Sequence, residues 1–156
     1  MNLGTLLHNY VLNCAALSWF LAQFIKTVLV LLTTGKLKLE RMFGSGGMPS
    51  AHSACVCALA ISTCRKVGFS SVEFAITFVL ACVVMYDALN VRRQAGEHAK
   101  AINIVVDHIN DNDNDDNTDD SALARIKELK ESLGHKPMEV LAGALLGIII
   151  SMILPL

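Results

Sequence analysis

The sequence predicts an all-α fold: a bundle of about four to five membrane helices with an additional amphipathic helix on its surface. Hydrophobic residues make up 53% of the 156 residues and charged residues only 17%, whereas soluble domains contain about 25% charged residues. The charges are also segregated. Residues 1–106 carry nine basic and four acidic side chains, residues 107–139 carry ten acidic and four basic ones, and residues 140–156 carry none. We therefore treat residues 1–156 as a single integral membrane domain.

Four apolar segments account for the membrane helices. Residues 3–34 contain a single formal charge, Lys26, and suit either one long tilted helix or a short interfacial piece followed by a span. Residues 49–64 are short for a free span, which predicts a helix packed inside the bundle. Residues 72–91 are acidic only near their ends. In residues 138–154 the small residues of AGALLG predict close helix packing.

Two less apolar stretches lie between the third and fourth of these segments. Residues 92–109 are predicted to continue the third helix or to start a new one. Residues 121–133 place leucine and isoleucine at helical spacing after a serine suited to an N-cap, which predicts the amphipathic surface helix. Residues 107–120 are rich in Asp and Asn and cannot form a core, so we expect an acidic flexible loop there.

The placement of lysine and arginine predicts the orientation in the membrane. Two basic residues, Arg65 and Lys66, fall between the second and third segments. Nine fall on the opposite side, which the positive-inside rule assigns to the cytoplasm. These nine are Lys36, Lys38, Arg41, Arg92, Arg93, Lys100, Lys127, Lys130 and Lys136. We expect a polytopic protein whose polar clusters meet at the cytoplasmic face.

The first polar cluster, GSGGMPSAHS at residues 44–53, is a glycine loop that leads into a helix. The free N–H groups of a helix N-terminus attract phosphate, and a glycine such as Gly47 lets a ligand come close. Ser50 adds a hydroxyl, and His52 can carry a proton near neutral pH. A capped helix with an incidental histidine explains the same residues equally well.

The second cluster spans residues 86–98. On an α-helix, one face would collect four polar residues, Asp87, Asn90, Gln94 and His98. Arg92 and Arg93 offer bidentate phosphate contacts, although an arginine pair at a membrane edge also satisfies the positive-inside rule. A carboxylate at the end of a span, such as Asp87, usually has a partner or a function.

The third cluster surrounds His135 and Glu139. A spacing of four would let the carboxylate orient the imidazole, as in activated nucleophiles. A surface histidine and a glutamate favoured by the helix dipole are the plainer alternative. Lys26 stands apart, since a lysine inside a membrane costs about 2.5–3.5 kcal/mol. It either extends to the interface or faces the polar site, and Gln23 one turn earlier favours the site.

These motifs resemble a known superfamily. GGMPSAHS resembles the PS-x-H motif of the acid phosphatase and vanadium-dependent haloperoxidase superfamily, which includes the type-2 phosphatidic acid phosphatases of membranes. GHKPMEVLAGALLG is similar to the superfamily's last motif, in which Asp follows His by four residues. With YDALNVRRQAGEHAKAIN they resemble its divergent membrane branch. Two departures stand out. Glu139 replaces the Asp, and Leu129, six residues before His135, stands where the superfamily carries the arginine of Ser-Arg.

The resemblance implies a membrane-embedded phosphatase acting on a lipid or isoprenoid phosphate without a cofactor. His135 would be the nucleophile that forms a phosphohistidine, Glu139 would orient it, and His52 would protonate the leaving oxygen. A second group would hold the phosphate: Ser50, Gly47, Arg92, Arg93 and Lys26.

Two other functions stay open. One is a lipid phosphatase dependent on Mg²⁺, held by Asp87, Glu139 and Asn90. The other is a non-catalytic protein that binds or transports phospholipid head groups. The missing arginine favours that function, and the presence of both His52 and His135 argues against it. The expected partners are the bilayer and a lipid phosphate, with no nucleic acid. Four or five helices are few to seal such a site, so a homodimer is also expected.

Overall fold

The computed structural model describes residues 8–35, 47–112 and 136–156, and all regular secondary structure in those ranges is helical. The elements are α1 (Tyr10–Thr34), α2 (Ala51–Val67), α3 (Val72–Tyr86), a π-helical turn (Asp87–Val91), α4 (Arg92–Asn112) and α5 (Pro137–Ile153). The segment α3, the π-helical turn and α4 follow one another without a break and form one rod. The predicted all-α, membrane-type bundle is confirmed.

The helix ends follow the residue types in the sequence. Short polar side chains cap three N-termini: Asn9 accepts the Leu12 N–H at 3.2 Å, Ser71 accepts the Phe74 N–H at 3.1 Å, and Ser50 caps α2. Gly35 ends α1 at a φ of 65°, in the left-handed region that glycine enters without steric cost.

The helix α2 lies at the centre and packs against α1, α3 and α5. The prediction that residues 49–64 are packed inside the bundle is therefore confirmed. Helices α2 and α5 run parallel. Near their starts the Ser50 N–H donates to the Glu139 carbonyl at 2.9 Å, and near their ends the Arg65 guanidinium donates to the Leu154 carbonyl at 2.9 Å. Helix α1 runs the opposite way, because Tyr10 contacts Arg65 near the end of α2 and Lys26 lies beside Gly47 near its start. Helix α3 also runs the opposite way, since Val84 near its end lines a cleft with His52.

Helices α2 and α5 approach so closely that only glycine fits at two positions. A Cβ atom on Gly143 would overlap the Ser50 carbonyl, and one on Gly147 would overlap the Ala54 carbonyl. Further along, the Ser151 hydroxyl donates across the interface to the Ala58 carbonyl at 3.0 Å. Small residues that let two backbones meet are typical of membrane helix pairs. The packing predicted from AGALLG is confirmed.

Small side chains fill the interior and large ones face outward. Apart from Val140 and Ile150, the buried hydrophobic residues are alanines and cysteines. Large apolar side chains remain exposed, for example Phe20 (59%), Leu32 (76%) and Phe69 (79%). A surface of this kind is unfavourable in water and is typical of one that faces lipid. Tyr10–Thr34 and Val72–Val106 are each long and apolar enough to cross a membrane.

Arg65 of α2 bonds to residues of α1 and α5 at the end of the bundle where α2 and α5 finish. Its Nη1 donates to the Tyr10 hydroxyl at 2.6 Å and to the carbonyls of Ser151 and Leu154. The guanidinium also lies 5.8 Å from the centre of the Tyr10 ring. The last carbonyls of a helix lack partners within that helix and carry partial negative charge, so a cation from α2 stabilises the end of α5.

The helix α4 runs further than the sequence indicated. It ends at Asn112, whereas the acidic loop was predicted to begin at residue 107. Extending a formed helix adds one hydrogen bond per residue, which outweighs the modest helix propensities of Asn and Asp. The rest of that loop and the predicted helix at residues 121–133 lie outside the described residues.

We expect Gly147→Ala to lower the free energy of unfolding by about 1–3 kcal/mol, because the added methyl group must push α2 and α5 apart. Thermal unfolding in detergent measures the change. Leu145→Ala is the control, since Leu145 lies on the outward face of the same helix. Wild-type stability in Gly147→Ala would show that the two backbones do not touch.

Candidate functional site

The fold brings the starts of α2 and α5 and the π-helical turn to one end of the bundle. The hydrogen bond from Ser50 to Glu139 joins the first two. A cleft of about 20 Å³ lies between α2 and the π-helical turn, lined by His52, Asp87 and Arg92 with Val84 and Ala88 as its apolar walls. The predicted meeting of the three clusters is confirmed for these residues. His135 and residues 44–46 lie outside the described part of the chain.

Ser50 has a structural role at the start of α2. It is fully buried, and its hydroxyl oxygen accepts the Ser53 N–H at 3.3 Å and the Ser53 hydroxyl at 3.0 Å. Ser50 is therefore the N-cap of α2. A contact between Ser50 and phosphate stays a prediction. His52 follows two residues later on the more exposed side of the helix, where it lines the cleft.

Lys26 reaches the same end of the bundle from α1. It is only 3% exposed, and its side chain lies beside Gly47, which has a φ of 92°. The lysine therefore lies inside the bundle and does not extend along the outer surface. Gln23, one turn earlier, is also buried, and its Oε1 has no hydrogen-bond partner among the described residues.

The π-helical turn places Asp87 and Arg92 side by side. The Arg92 N–H bonds to the Asp87 carbonyl, five residues back, and the Arg92 Nε lies 2.6 Å from the Asp87 Oδ2. In an α-helix, residues five apart point about 140° away from each other. The wider π-helical turn removes that divergence, and such turns occur frequently at functional sites.

The predicted single face of Asp87, Asn90, Gln94 and His98 assumes uninterrupted α-helical spacing, which the π-helical turn interrupts. Asp87 and Asn90 are partly buried, whereas Gln94 and His98 are exposed. A π-helical turn adds about one residue to the α-helical register and so rotates everything after it by about 100°. The α-helical spacing expected from the sequence does not bring Asp87 and Arg92 together, whereas the π-helical turn does. No feature of DALNV distinguishes a π-helical turn from an α-helix.

Glu139 is engaged at the start of α5. Its Oε2 accepts the Lys136 N–H at 3.2 Å, the arrangement by which a third-position glutamate satisfies a free N–H. Whether the carboxylate also orients His135 stays a prediction, because His135 precedes the described residues of α5. Arg93, next to Arg92, is exposed.

The carboxylates proposed for Mg²⁺ already have partners. Asp87 bonds to Arg92, and Glu139 accepts the Lys136 N–H. Across residues 8–35, 47–112 and 136–156, no group of three or more His, Cys, Asp or Glu side chains could hold a metal ion. The cleft places one histidine and one arginine beside the carboxylate of Asp87.

Comparison with known proteins agrees with the motifs. The model of a family described as the Divergent PAP2 family matches residues 7–150, a range that contains all three polar clusters. The chain belongs to the Divergent PAP2 family. It is also 38% identical over 151 residues to the uncharacterized membrane protein YuiD of Bacillus subtilis (strain 168), covering 96% of each chain. No solved structure matches.

Membership of the Divergent PAP2 family confirms the resemblance found in the sequence. The relative is described as a membrane protein, and two helices here are apolar and long enough to cross a bilayer. Together these observations support association with a membrane.

We expect Ser50→Ala to lower the free energy of unfolding by about 0.5–2 kcal/mol, the usual cost of losing an N-cap. Ser71→Ala is the matched variant, because it removes the cap of α3 away from the cleft. Thermal unfolding of both in detergent gives the comparison. If only Ser71→Ala loses stability, the capping role of Ser50 is wrong.

Proposed function

We propose that this protein is a membrane-embedded phosphatase that hydrolyses a lipid or isoprenoid phosphate through His135. The observation that carries the proposal is the cleft in which His52 and Arg92 meet, at the end of the bundle where α2 and α5 begin. The start of α2, which holds His52, favours an anion there. Buried Lys26 adds a positive charge nearby, beside Gly47. This combination suits a phosphate group.

The proposed reaction has two steps. In the first, an imidazole nitrogen of His135 attacks phosphorus, the P–O bond to the alcohol breaks, and His52 gives its proton to the leaving oxygen. In the second, water attacks the phosphohistidine, His52 takes up a proton from it, and inorganic phosphate leaves as His135 is restored. Arg92, Arg93 and Lys26 stabilise the charge on the phosphoryl oxygens. Positioning and charge stabilisation dominate phosphoryl transfer.

The surroundings of the cleft favour an amphiphilic substrate. On the side of α3 that faces away from the bundle, Val79, Val83 and Tyr86 are exposed up to the level of the π-helical turn. A phosphate bound next to His52 would thus lie beside a surface suited to hydrocarbon chains. The tails of the substrate would stay in the lipid while the phosphate enters the cleft.

The proposal includes a polytopic arrangement with the cleft at the cytoplasmic face. We expect an impermeant thiol reagent to label Lys66→Cys from outside intact cells and Glu97→Cys only after permeabilisation. Lys66 lies in the last turn of α2 and Glu97 lies on α4, and both are exposed. The five native cysteines are first replaced. Labelling of both positions from one side would refute the polytopic arrangement, and the reverse pattern would refute the cytoplasmic face.

Phosphate release by the purified protein in detergent tests the activity. We expect release from at least one of phosphatidate, phosphatidylglycerol phosphate and an isoprenyl diphosphate, with no loss in EDTA. His52→Ala and His135→Ala should each reduce the rate at least about 100-fold, since a general acid or a nucleophile is removed. His98→Ala is the control, because that histidine is exposed on α4 and does not line the cleft.

Three results would contradict the proposal. Release that EDTA abolishes would favour the Mg²⁺-dependent reaction at Asp87 and Glu139. Binding of lipid phosphate by folded protein without any release would favour the non-catalytic head-group protein. Equal activity in His52→Ala and the wild type would exclude His52 as the acid.

A further inference from the structure

The hydrogen bond between Asp87 and Arg92 uses only the Nε–H of the guanidinium. Arg92 donates through Nε to the Asp87 Oδ2 at 2.6 Å. Within the described residues, Nη1 and Nη2 have no hydrogen-bond partner. A guanidinium is a planar fork whose paired N–H groups match two oxygens of a phosphate. The contact with Asp87 therefore fixes the fork and leaves its outer edge available.

The π-helical turn makes this arrangement possible. Asp87 is its first residue and Arg92 follows its last, so the backbone bond from the Arg92 N–H to the Asp87 carbonyl closes the turn. The same register that forms the turn brings the two side chains together. Val84 and Ala88, from this rod, form the cleft walls beside them, and His52 lies opposite on α2.

Stability alone does not explain the carboxylate. The side chains of Asp87 and Arg92 are 37% and 45% exposed, and ion pairs this accessible contribute little to folding. A carboxylate that lines an anion-binding cleft also repels the anion. Its presence there is understandable if it aligns the arginine more than it weakens the binding.

We infer that Asp87 is a positioning residue: it holds Arg92 through Nε so that the Nη edge meets a phosphate bound beside His52. The ligand is a phosphate group, whether carried by a lipid or free in solution. The inference rests on the proposed function only in taking phosphate as the ligand, and it does not require hydrolysis.

Whether substitutions of Asp87 strengthen or weaken phosphate binding separates positioning of Arg92 from simple charge repulsion. If repulsion dominates, removing the charge strengthens phosphate binding in both Asp87→Asn and Asp87→Ala. If Asp87 positions Arg92, the two variants differ. Asparagine keeps an oxygen that accepts the Nε–H of Arg92. The Asp87→Asn protein should therefore bind phosphate as tightly as the wild type or more tightly. Alanine has no such acceptor. The phosphate affinity of Asp87→Ala should fall about tenfold, the usual effect of losing one charge-assisted hydrogen bond.

The test titrates the full-length protein in detergent with inorganic phosphate and, in a second arm, with phosphatidate in mixed micelles. Isothermal titration calorimetry gives the dissociation constants, and thermal unfolding checks that each variant is folded. Glu97→Ala is the matched control, because Glu97 forms an exposed ion pair with Lys100 at 3.3 Å on the same rod. We expect its affinity to be unchanged. Binding in only one arm identifies the source of the phosphate and supports the inference for that source.

Three results would overturn the inference: Asp87→Ala that binds as tightly as the wild type or more tightly, Asp87→Asn that is as weak as Asp87→Ala, or a wild type that binds neither ligand. If Asp87→Ala does not fold, Arg92→Lys replaces it, since lysine keeps the charge without the fork. Its affinity should fall about tenfold, and wild-type affinity would refute the role of the Nη edge. A protein that hydrolyses nothing but passes the binding test contradicts the phosphatase proposal alone.

Discussion

The close approach of α2 and α5 is the constraint on which the rest of the structure depends. Gly143 and Gly147 let the two backbones touch, and the parallel direction puts both helix starts at one end. The Ser50 N–H can then bond directly to the Glu139 carbonyl. Two N-termini that would otherwise be separated by side chains lie next to each other. The cleft opens beside the start of α2, where His52 lies.

The same constraint explains what the other helices are made of. A central helix that touches three neighbours has room only for small residues, so α2 is rich in Ala, Ser and Cys. Large side chains are left for the outer faces of α1 and α3, where lipid contacts suit them. Lys26 and Gln23 are larger polar exceptions in this interior. The side chain of Lys26 lies against Gly47.

The sequence predicted those features that depend on local residue type. The close packing at AGALLG and the inward position of Lys26 each follow from a short pattern, and the structure agrees. It could not predict the π-helical turn, since a change of one residue in register depends on tertiary packing and not on any motif in DALNV. The pairing of Asp87 with Arg92 was missed for that reason. The bonds of Arg65 to α5 were also missed, because they join residues far apart in sequence.

Arg65 restricts how the bundle can move. Helices α2 and α5 are bonded to each other at both ends, by Ser50 at the start and by Arg65 at the finish. Sliding one along the other by a single residue would break both bonds at once and bring larger side chains of α5 against the α2 backbone where the glycines now lie. The pair therefore acts as a rigid frame. A motion that widens the cleft therefore moves the rod of α3, the π-helical turn and α4 relative to this pair. Because the rod is long, a small tilt of α3 displaces the far end of α4 by many ångströms.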